Sequence, residues 1–263
     1  MKDYKRIESI HNPVFRHALS LAEKGPSRLN PQEFILEGEK LILEAAKSGY
    51  DLKSLMVIEG AEPLAEKIPG SHQTIYLLSG KLMRRLSSLE TPPKLFGIVA
   101  PRNPSTLEQT LKEARTAVVL DRVQDPGNLG TIIRSCEALK ADTVLLLKGS
   151  CSQYNHKVLR ASMGSSFRLP IHENLDAEQL LRLLQQYKFV CIGTSADGNP
   201  LDSFSFPPKV ALFFGSEGQG LSDSLLAACE ALLGIPINPR VESLNVAASV
   251  AVCLYERTRK NQA

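Results

Sequence analysis

Arg134, Asn128, Glu217, Ser243 and Asn245 are the side chains whose type and setting could do chemistry in this chain of 263 residues. They sit in three segments: Asp125-Pro126-Gly127-Asn128-Leu129-Gly130-Thr131-Ile132-Ile133-Arg134, Phe214-Gly215-Ser216-Glu217-Gly218-Gln219-Gly220-Leu221, and Ile235-Pro236-Ile237-Asn238-Pro239-Arg240-Val241-Glu242-Ser243-Leu244-Asn245-Val246-Ala247. An arginine offers a planar fork of N–H donors that suits a phosphate. Ser243 and Asn245 can each donate and accept, two positions apart. Gly215, Gly218 and Gly220 allow positive φ or a close approach of backbone to a ligand. Structural roles compete with each of these: Asn128 and Asn245 could cap helices, Arg134 could lie on a solvated helix face, and the glycine segment could be a tight strand-to-helix turn. A P-loop is ruled out because its Lys-Ser/Thr pair is missing, and no strand-linked Gly-x-Gly-x-x-Gly occurs.

All three segments join an apolar, strand-like run to a helix-like run, the place where α/β proteins put ligand loops. The strand-like runs are Thr116 to Leu120, Thr143 to Leu147, Phe189 to Gly193, Val210 to Phe214 and Leu232 to Ile237. Helical patterns lie at Leu129 to Leu139, Ala177 to Tyr187, Leu221 to Cys229 and Leu244 to Arg259. This alternation predicts a doubly wound parallel sheet. On it, Thr194-Ser195-Ala196 falls at the ligand edge, and Ile235 and Ile237 flank Pro236 on a strand, apolar enough to pack an adenine ring. Ala100 to Ser105, with two prolines, reads as a linker. Before it, strands at Glu33 to Gly38, Leu52 to Ile58, Thr74 to Leu78 and Leu95 to Ala100 alternate with helices at Glu39 to Ser48, Leu64 to Ile68 and Lys81 to Leu89, so a smaller α/β domain is expected over 1–105 and a second over 115–263. Residues 1–30, with His11, Arg16 and Arg28, read as a solvated helical lead-in, the alternative being a direct RNA-contacting arm.

Composition narrows the class. A hydrophobic content of 43% supports ordinary packed cores. The apolar run Val246 to Tyr255 is far too short for a membrane span and the N-terminus lacks a signal-peptide core, so a cytoplasmic protein without a membrane partner is expected. The five cysteines form no Cys-x-x-Cys pair and no metal-ligand spacing with histidine, which predicts reduced core thiols and no metal. The net charge of +3, too small to identify a nucleic-acid binder by itself, lies wholly in residues 1–115, with 17 Lys+Arg against 14 Asp+Glu, which fits either a phosphate-facing N-terminal surface or ordinary surface scatter.

In order and approximate separation, Asn128-x-Gly130-x-x-x-Arg134, Gly215-Ser216-Glu217-Gly218-x-Gly220 and Pro239-x-x-Glu242-Ser243-Leu244-Asn245-Val246 resemble the motifs of the SpoU (TrmH) family of RNA ribose 2′-O-methyltransferases in the SPOUT superfamily. The resemblance covers roughly 115–260. It implies S-adenosylmethionine as cofactor, a deep C-terminal trefoil knot, and a homodimer built through the catalytic domains, although general topology rules disfavour knots. It also implies that Gly215 and Leu244 meet the cofactor and that Ser243 and Asn245 lie near the ribose hydroxyl; by their strand-end positions Thr194, Ile235 and Ile237 are expected to join the cofactor wall, although packing alone would explain Thr194 as well. Glu217 would brace its loop or touch substrate, and Glu242 would bridge to an arginine. Arg160-Ala161-Ser162-Met163-Gly164-Ser165 resembles a further family segment packed near the active site, with Arg160 meeting RNA. The first half looks like the ribosomal-protein-like substrate-binding domain of many such enzymes, which favours ribosomal RNA over transfer RNA.

In that family the arginine at the position of Arg134 acts on the 2′-hydroxyl. Neutralising a guanidinium of pKa about 12.5 at pH 7 costs roughly 7 kcal/mol, so a literal base is expensive. A bidentate grip on a substrate phosphate that orients the hydroxyl is the cheaper role. Competing readings are a non-catalytic RNA-binding factor that keeps the fold, and a nucleotide-dependent α/β enzyme with Asp142 as its acidic ribose partner.

Overall fold

The computed structural model describes residues 4–24, 33–69, 74–87, 89–101 and 105–260. It divides into two compact units, one of residues 1–103 with 154–167 and one of residues 104–153 with 168–263.

The first unit is built on five strands, β1 (Tyr4–Ile7), β2 (Phe34–Glu37), β3 (Asp51–Ile58), β4 (Thr74–Leu78) and β5 (Leu95–Ala100), in the order β1-β4-β3-β5-β2. β1 and β3 run parallel to β4, while β5 is antiparallel to β3 and β2. Alternating side chains feed two cores, as the pleat requires. Phe34, Leu36, Leu55 and Val57 pack on the side of α2 (Glu39–Lys47) and α3 (Pro63–Glu66) with Leu159 and Phe167. Ile35, Met56, Phe96 and Ile98 pack on the side of α1 (Pro13–Lys24) and α4 (Gly80–Leu86). The expected solvated lead-in is therefore wrong for Tyr4–Lys24, because Phe15 and Ala18 are completely buried. His11 and Arg16 are exposed as expected, whereas Arg28 and most of the Ala100 to Ser105 linker lie outside the described residues.

The second unit opens with α5 (Leu107–Glu113), closed by a reciprocal capping box between Thr106 and Gln109. There follow β6 (Thr116–Leu120), α6 (Pro126–Ala138), β7 (Thr143–Leu147) and, after the helix α7 (His156–Ala161) of the first unit, β8 (Ile171–Leu175), α8 (Ala177–Gln186), β9 (Val190–Pro200), β10 (Val210–Phe214), α9 (Asp223–Ala228), β11 (Ala231–Gly234) and α10 (Val246–Lys260). The sheet order is β11-β9-β10-β6-β7-β8, with every pairing parallel. β6, β7 and β10 are buried at all five positions, which is what a sheet covered on both faces demands. Each fully buried aliphatic side chain contributes on the order of 2 kcal/mol. β6 leads outward to β7 while β10 sits on its other side, so the topological switch point falls between β6 and β10.

Two boundaries differ from the sequence reading in ways that shape the site. β11 stops at Gly234, so Ile235 and Ile237 follow the strand and lie in a loop. β9 runs to Pro200 but slips register against β11: Gly193 pairs with Leu232 and Asn199 with Leu233, which leaves Thr194–Gly198 as an excursion. The backbones then cross so closely that a Cβ on Gly198 would lie 2.3 Å from the carbonyl carbon of Leu233.

Candidate active site

Because the sheet is parallel, the segments after β6, β9, β10 and β11 emerge at one edge. Those after β9, β10 and β11 enclose a cavity of about 320 Å³, in the size range of small-ligand sites. Thr194, Gly215, Ile235, Ile237 and Leu244 all line it, together with Ser195, Ala196 and Ser243. The Thr194 hydroxyl donates to the Phe213 carbonyl at 3.0 Å, tying the β9 excursion to β10. Gly215 is required by its own loop: a Cβ there would lie 1.9 Å from the backbone of Gly220, which itself holds φ +64°. The loop closes through the Gly220 N–H donating to the Ser216 carbonyl at 2.9 Å.

On the other side of that loop, α6 and α10 start beside each other. Asp125 caps α6 by accepting from Asn128 N–H at 2.7 Å, and Pro126 occupies the first helical position. Asn245 caps α10, its Oδ1 accepting from the N–H groups of Ala247 and Ala248 at 2.9 and 3.4 Å. The remaining amide groups converge. Asn128 Nδ2 donates to Glu217 Oε1 at 2.5 Å, and Asn245 Nδ2 donates to the same oxygen at 2.9 Å and to Asn128 Oδ1 at 3.0 Å. The cap and the amide cluster thus coincide in Asn245, since the cap fixes which face of its amide meets Glu217. One carboxylate oxygen is saturated by two amides. The other makes no hydrogen bond among the described residues and is free to accept from a hydroxyl. A second cavity of about 330 Å³, lined by Arg122, Gln124, Asn128, Glu217 and Gln219, adjoins the first across Ser216, Glu217 and Gln219.

Not every expected residue joins this cluster. Ser243 is on the cavity wall rather than with Asn245 in the polar cluster, and Glu242, also on the wall, makes no ion pair among the described residues. Arg134 is exposed on α6, lines neither cavity and has no partner among the described residues. Six residues separate it from Asn128, about 9 Å along the helix and about 120° around it, so within one chain the two face apart. Arg160 belongs to the first unit, where its Nη1 is 3.2 Å from Oε2 of buried Glu37, an internal ion pair in place of the expected site contact. Asp142 is a backbone brace that accepts from Arg115 and Thr116 N–H at 2.8 and 2.7 Å, which removes the nucleotide-enzyme reading. Burial pushes the thiols of Cys191, Cys229 and Cys253 up to about 11, 12 and 12; Cys136, Cys191 and Cys253 are core residues as expected, whereas Cys151 and Cys229 are only half-buried.

Sequence reasoning missed Asp121 and Arg122 at the end of β6. Asp121 is buried and accepts from Ser222 N–H at 3.0 Å. Arg122, in left-handed backbone at φ +56°, spreads its guanidinium over Asp121, Gln219 and the Gly220 carbonyl. Only the polar pair Asp121-Arg122 closing an apolar run could have signalled them, and such pairs are common.

A small-ligand cavity sharing one loop with an oriented carboxylate–amide cluster, at the switch point of a parallel sheet, defines a site for two substrates side by side. The chain belongs to the SpoU rRNA Methylase family, whose sequence model matches residues 115–255; a model for an MRM3-like substrate binding domain matches residues 12–97. It is 32% identical over 256 residues to the 23S rRNA (guanosine(2553)-2′-O)-methyltransferase RlmP of Bacillus subtilis, covering 95% of this chain and 98% of that one. An uncharacterized tRNA/rRNA methyltransferase of Synechocystis is 33% identical over 271 residues, covering 99% and 96%. The crystal structure of an AdoMet-bound rRNA methyltransferase from Sinorhizobium meliloti superposes with a TM-score of 0.86 at 29% identity, covering 98% of both chains.

Proposed function

We propose that the protein transfers a methyl group from S-adenosylmethionine to a ribose 2′-hydroxyl of RNA, ribosomal RNA in preference to transfer RNA. The observation that carries this reading is the shared wall between the two cavities, which sets a donor pocket against a hydrogen-bonding cluster. The donor pocket fits the cofactor: apolar Ile235, Ile237 and Leu244 suit an adenine ring, and Thr194, Ser195 and Ser243 offer polar atoms for the ribose and amino-acid ends. When bound, S-adenosylmethionine supplies an electrophilic sulfonium methyl. The free Glu217 oxygen accepts the hydrogen bond of the 2′-hydroxyl and holds it toward the shared wall, and as the hydroxyl oxygen takes the methyl its proton is lost to a substrate phosphate or to water. Asn128 and Asn245 keep that carboxylate in place. Near-attack placement of this kind contributes several kcal/mol without a metal.

Arg134 takes the substrate phosphate. The exposed positions Gly127, Thr131, Arg134 and Ala138 form one stripe of α6, beside exposed Ala248, Val252 and Tyr255 of α10, which packs against α6. Pairing two copies through this small, apolar face makes a homodimer and sets Arg134 at the boundary, available to the partner's acceptor. A deep trefoil knot is supported by the tight crossing of Gly198 and Gly234 and by buried Arg257, which ties α10 to Thr116 and to the carbonyls of Pro207 and Pro208. A cytoplasmic, metal-free enzyme completes the reading.

Calorimetry with S-adenosylmethionine, followed by mass-spectrometric mapping of 2′-O-methyl groups on 23S rRNA from cells lacking the gene, tests it. Ile235→Ala should weaken cofactor binding about tenfold, equivalent to about 1.4 kcal/mol of lost apolar contact. Arg134→Lys should bind cofactor normally yet transfer at least roughly a hundredfold slower, about 2.7 kcal/mol of barrier, because an ammonium lacks the fork. Wild-type protein that neither binds S-adenosylmethionine nor methylates RNA would overturn the proposal.

A further inference from the structure

We infer that Arg122 is a positioning residue: it straps the loop Ser216–Gly220, the wall common to both cavities, to the end of β6. The inference rests on the methyl-transfer reading of that site. Four hydrogen bonds make the strap. Nε and Nη2 meet Oδ1 and Oδ2 of Asp121 at 3.1 and 3.2 Å, Nη1 meets Gln219 Oε1 at 2.8 Å, and Nη2 meets the Gly220 carbonyl at 3.4 Å. Asp121, buried beneath, takes the Ser222 N–H on the same Oδ2, so the fork and its counter-ion together hold the loop from Gln219 to Ser222.

Two observations mark this as more than a surface contact. Arg122 occupies left-handed backbone at φ +56°, a conformation that glycine or asparagine would adopt at lower cost, so the local backbone is worse for carrying an arginine. Gly149 leaves the space the side chain needs, since a Cβ there would sit 3.2 Å from Arg122 Cγ. The loop is otherwise anchored through the Glu217 carboxylate, which Asn128 and Asn245 hold, and through its own Ser216–Gly220 turn. Residues 217–220 are exposed, and within the loop only the Ser216–Gly220 turn closes the backbone. Glu217 at the tip must nevertheless meet Asn128 and Asn245, and a displacement of about 1 Å at a reacting centre can cost a hundredfold in rate. A lysine cannot replace the strap, because one ammonium does not span Asp121, Gln219 and the Gly220 carbonyl.

Arg122→Gly deletes the strap and relieves the left-handed backbone, but it also leaves buried Asp121 without its counter-ion. The expected result is a lowered melting temperature, faster amide hydrogen exchange across 217–220, and single-turnover transfer at saturating S-adenosylmethionine and RNA slowed at least about tenfold. Arg122→Lys should not rescue the rate, and Gln219→Ala should reproduce part of the loss. Unchanged loop protection in Arg122→Gly, or a wild-type transfer rate in that variant, would overturn the strap. If Arg122→Gly misfolds, the same two readings on Arg122→Lys decide. A wild-type protein that fails to bind S-adenosylmethionine would instead overturn the methyl-transfer reading, and the exchange measurement would still judge the strap.

Discussion

Asn245 does two jobs that substitution can pull apart. Its Oδ1 caps α10 and its Nδ2 holds Glu217 and Asn128. Aspartate caps a helix as well as asparagine does, but it donates no hydrogen bond and sets a second carboxylate against Glu217. Asn245→Asp should therefore keep its urea midpoint within the error of the wild type, while transfer slows by the loss of hydrogen bonds to a charged group, about 1.5–3 kcal/mol or ten- to a hundredfold. Asn245→Ala loses both functions and should also unfold about 1 kcal/mol more easily. Denaturant titration and single-turnover rates on the two variants check this, and equal rates for Asn245→Asp and wild type would remove Glu217 from the acceptor site. Gly215 teaches the opposite lesson. Its contacts are with Gly220 backbone, so Gly215→Val would break the loop itself and says little about cofactor contact.

Among the elements, β8 and α5 carry a titratable contact that the reaction does not use. His172 on β8 lies 2.9 Å from the Thr110 hydroxyl of α5, and burial pulls its pKa down, with Glu108 opposing weakly. His156, opening α7, is lowered by burial and then by Arg160 and Lys157. Well above pH 6.5 both residues are neutral whether the chain is folded or not. As pH falls below 6.5 the unfolded chain takes up protons that the folded one refuses, so stability drops until the folded values are passed. Urea midpoints at pH 7.5, 6.5 and 5.5 should decline, and His172→Gln should flatten that decline. The same elements mark what the sequence could reveal. β6, β7 and β10 were legible because buried parallel strands read as unbroken apolar runs. β8, Ile-His-Glu-Asn-Leu, was not, since it is an edge strand with only Ile171 buried. α5 and α7 are too short to display a helical period, and β1 is exposed at three of its four positions. The cavity wall after β9 and β10 was legible because glycines and small polar residues at strand ends announce close backbone; the Asp121–Arg122 strap was not, because nothing in an arginine codon announces left-handed backbone.

At the scale of the whole molecule, the chain crosses between its units three times, and the excursion 154–167 carries core residues of the first unit into the middle of the second unit's sequence. A fragment of residues 105–263 would strip Leu159 and Phe167 of Phe34, Leu36 and the rest of their cluster. It should be cut rapidly by trypsin at Lys157 and Arg160, where the intact chain resists. Its S-adenosylmethionine affinity should persist, because no residue of 154–167 lines the donor cavity. Resistance of that fragment to trypsin would show that the excursion holds its shape unaided. During synthesis the same arrangement sets an order of events. The first hundred residues leave the ribosome without two of the side chains that fill their interior, and must wait while β6, α6 and β7 are made before those side chains arrive. The N-terminal half is thus the first to be synthesised and yet cannot close its interior until residue 167 has emerged, so a pause in translation before residue 154 would leave it waiting with an apolar hollow open to solvent.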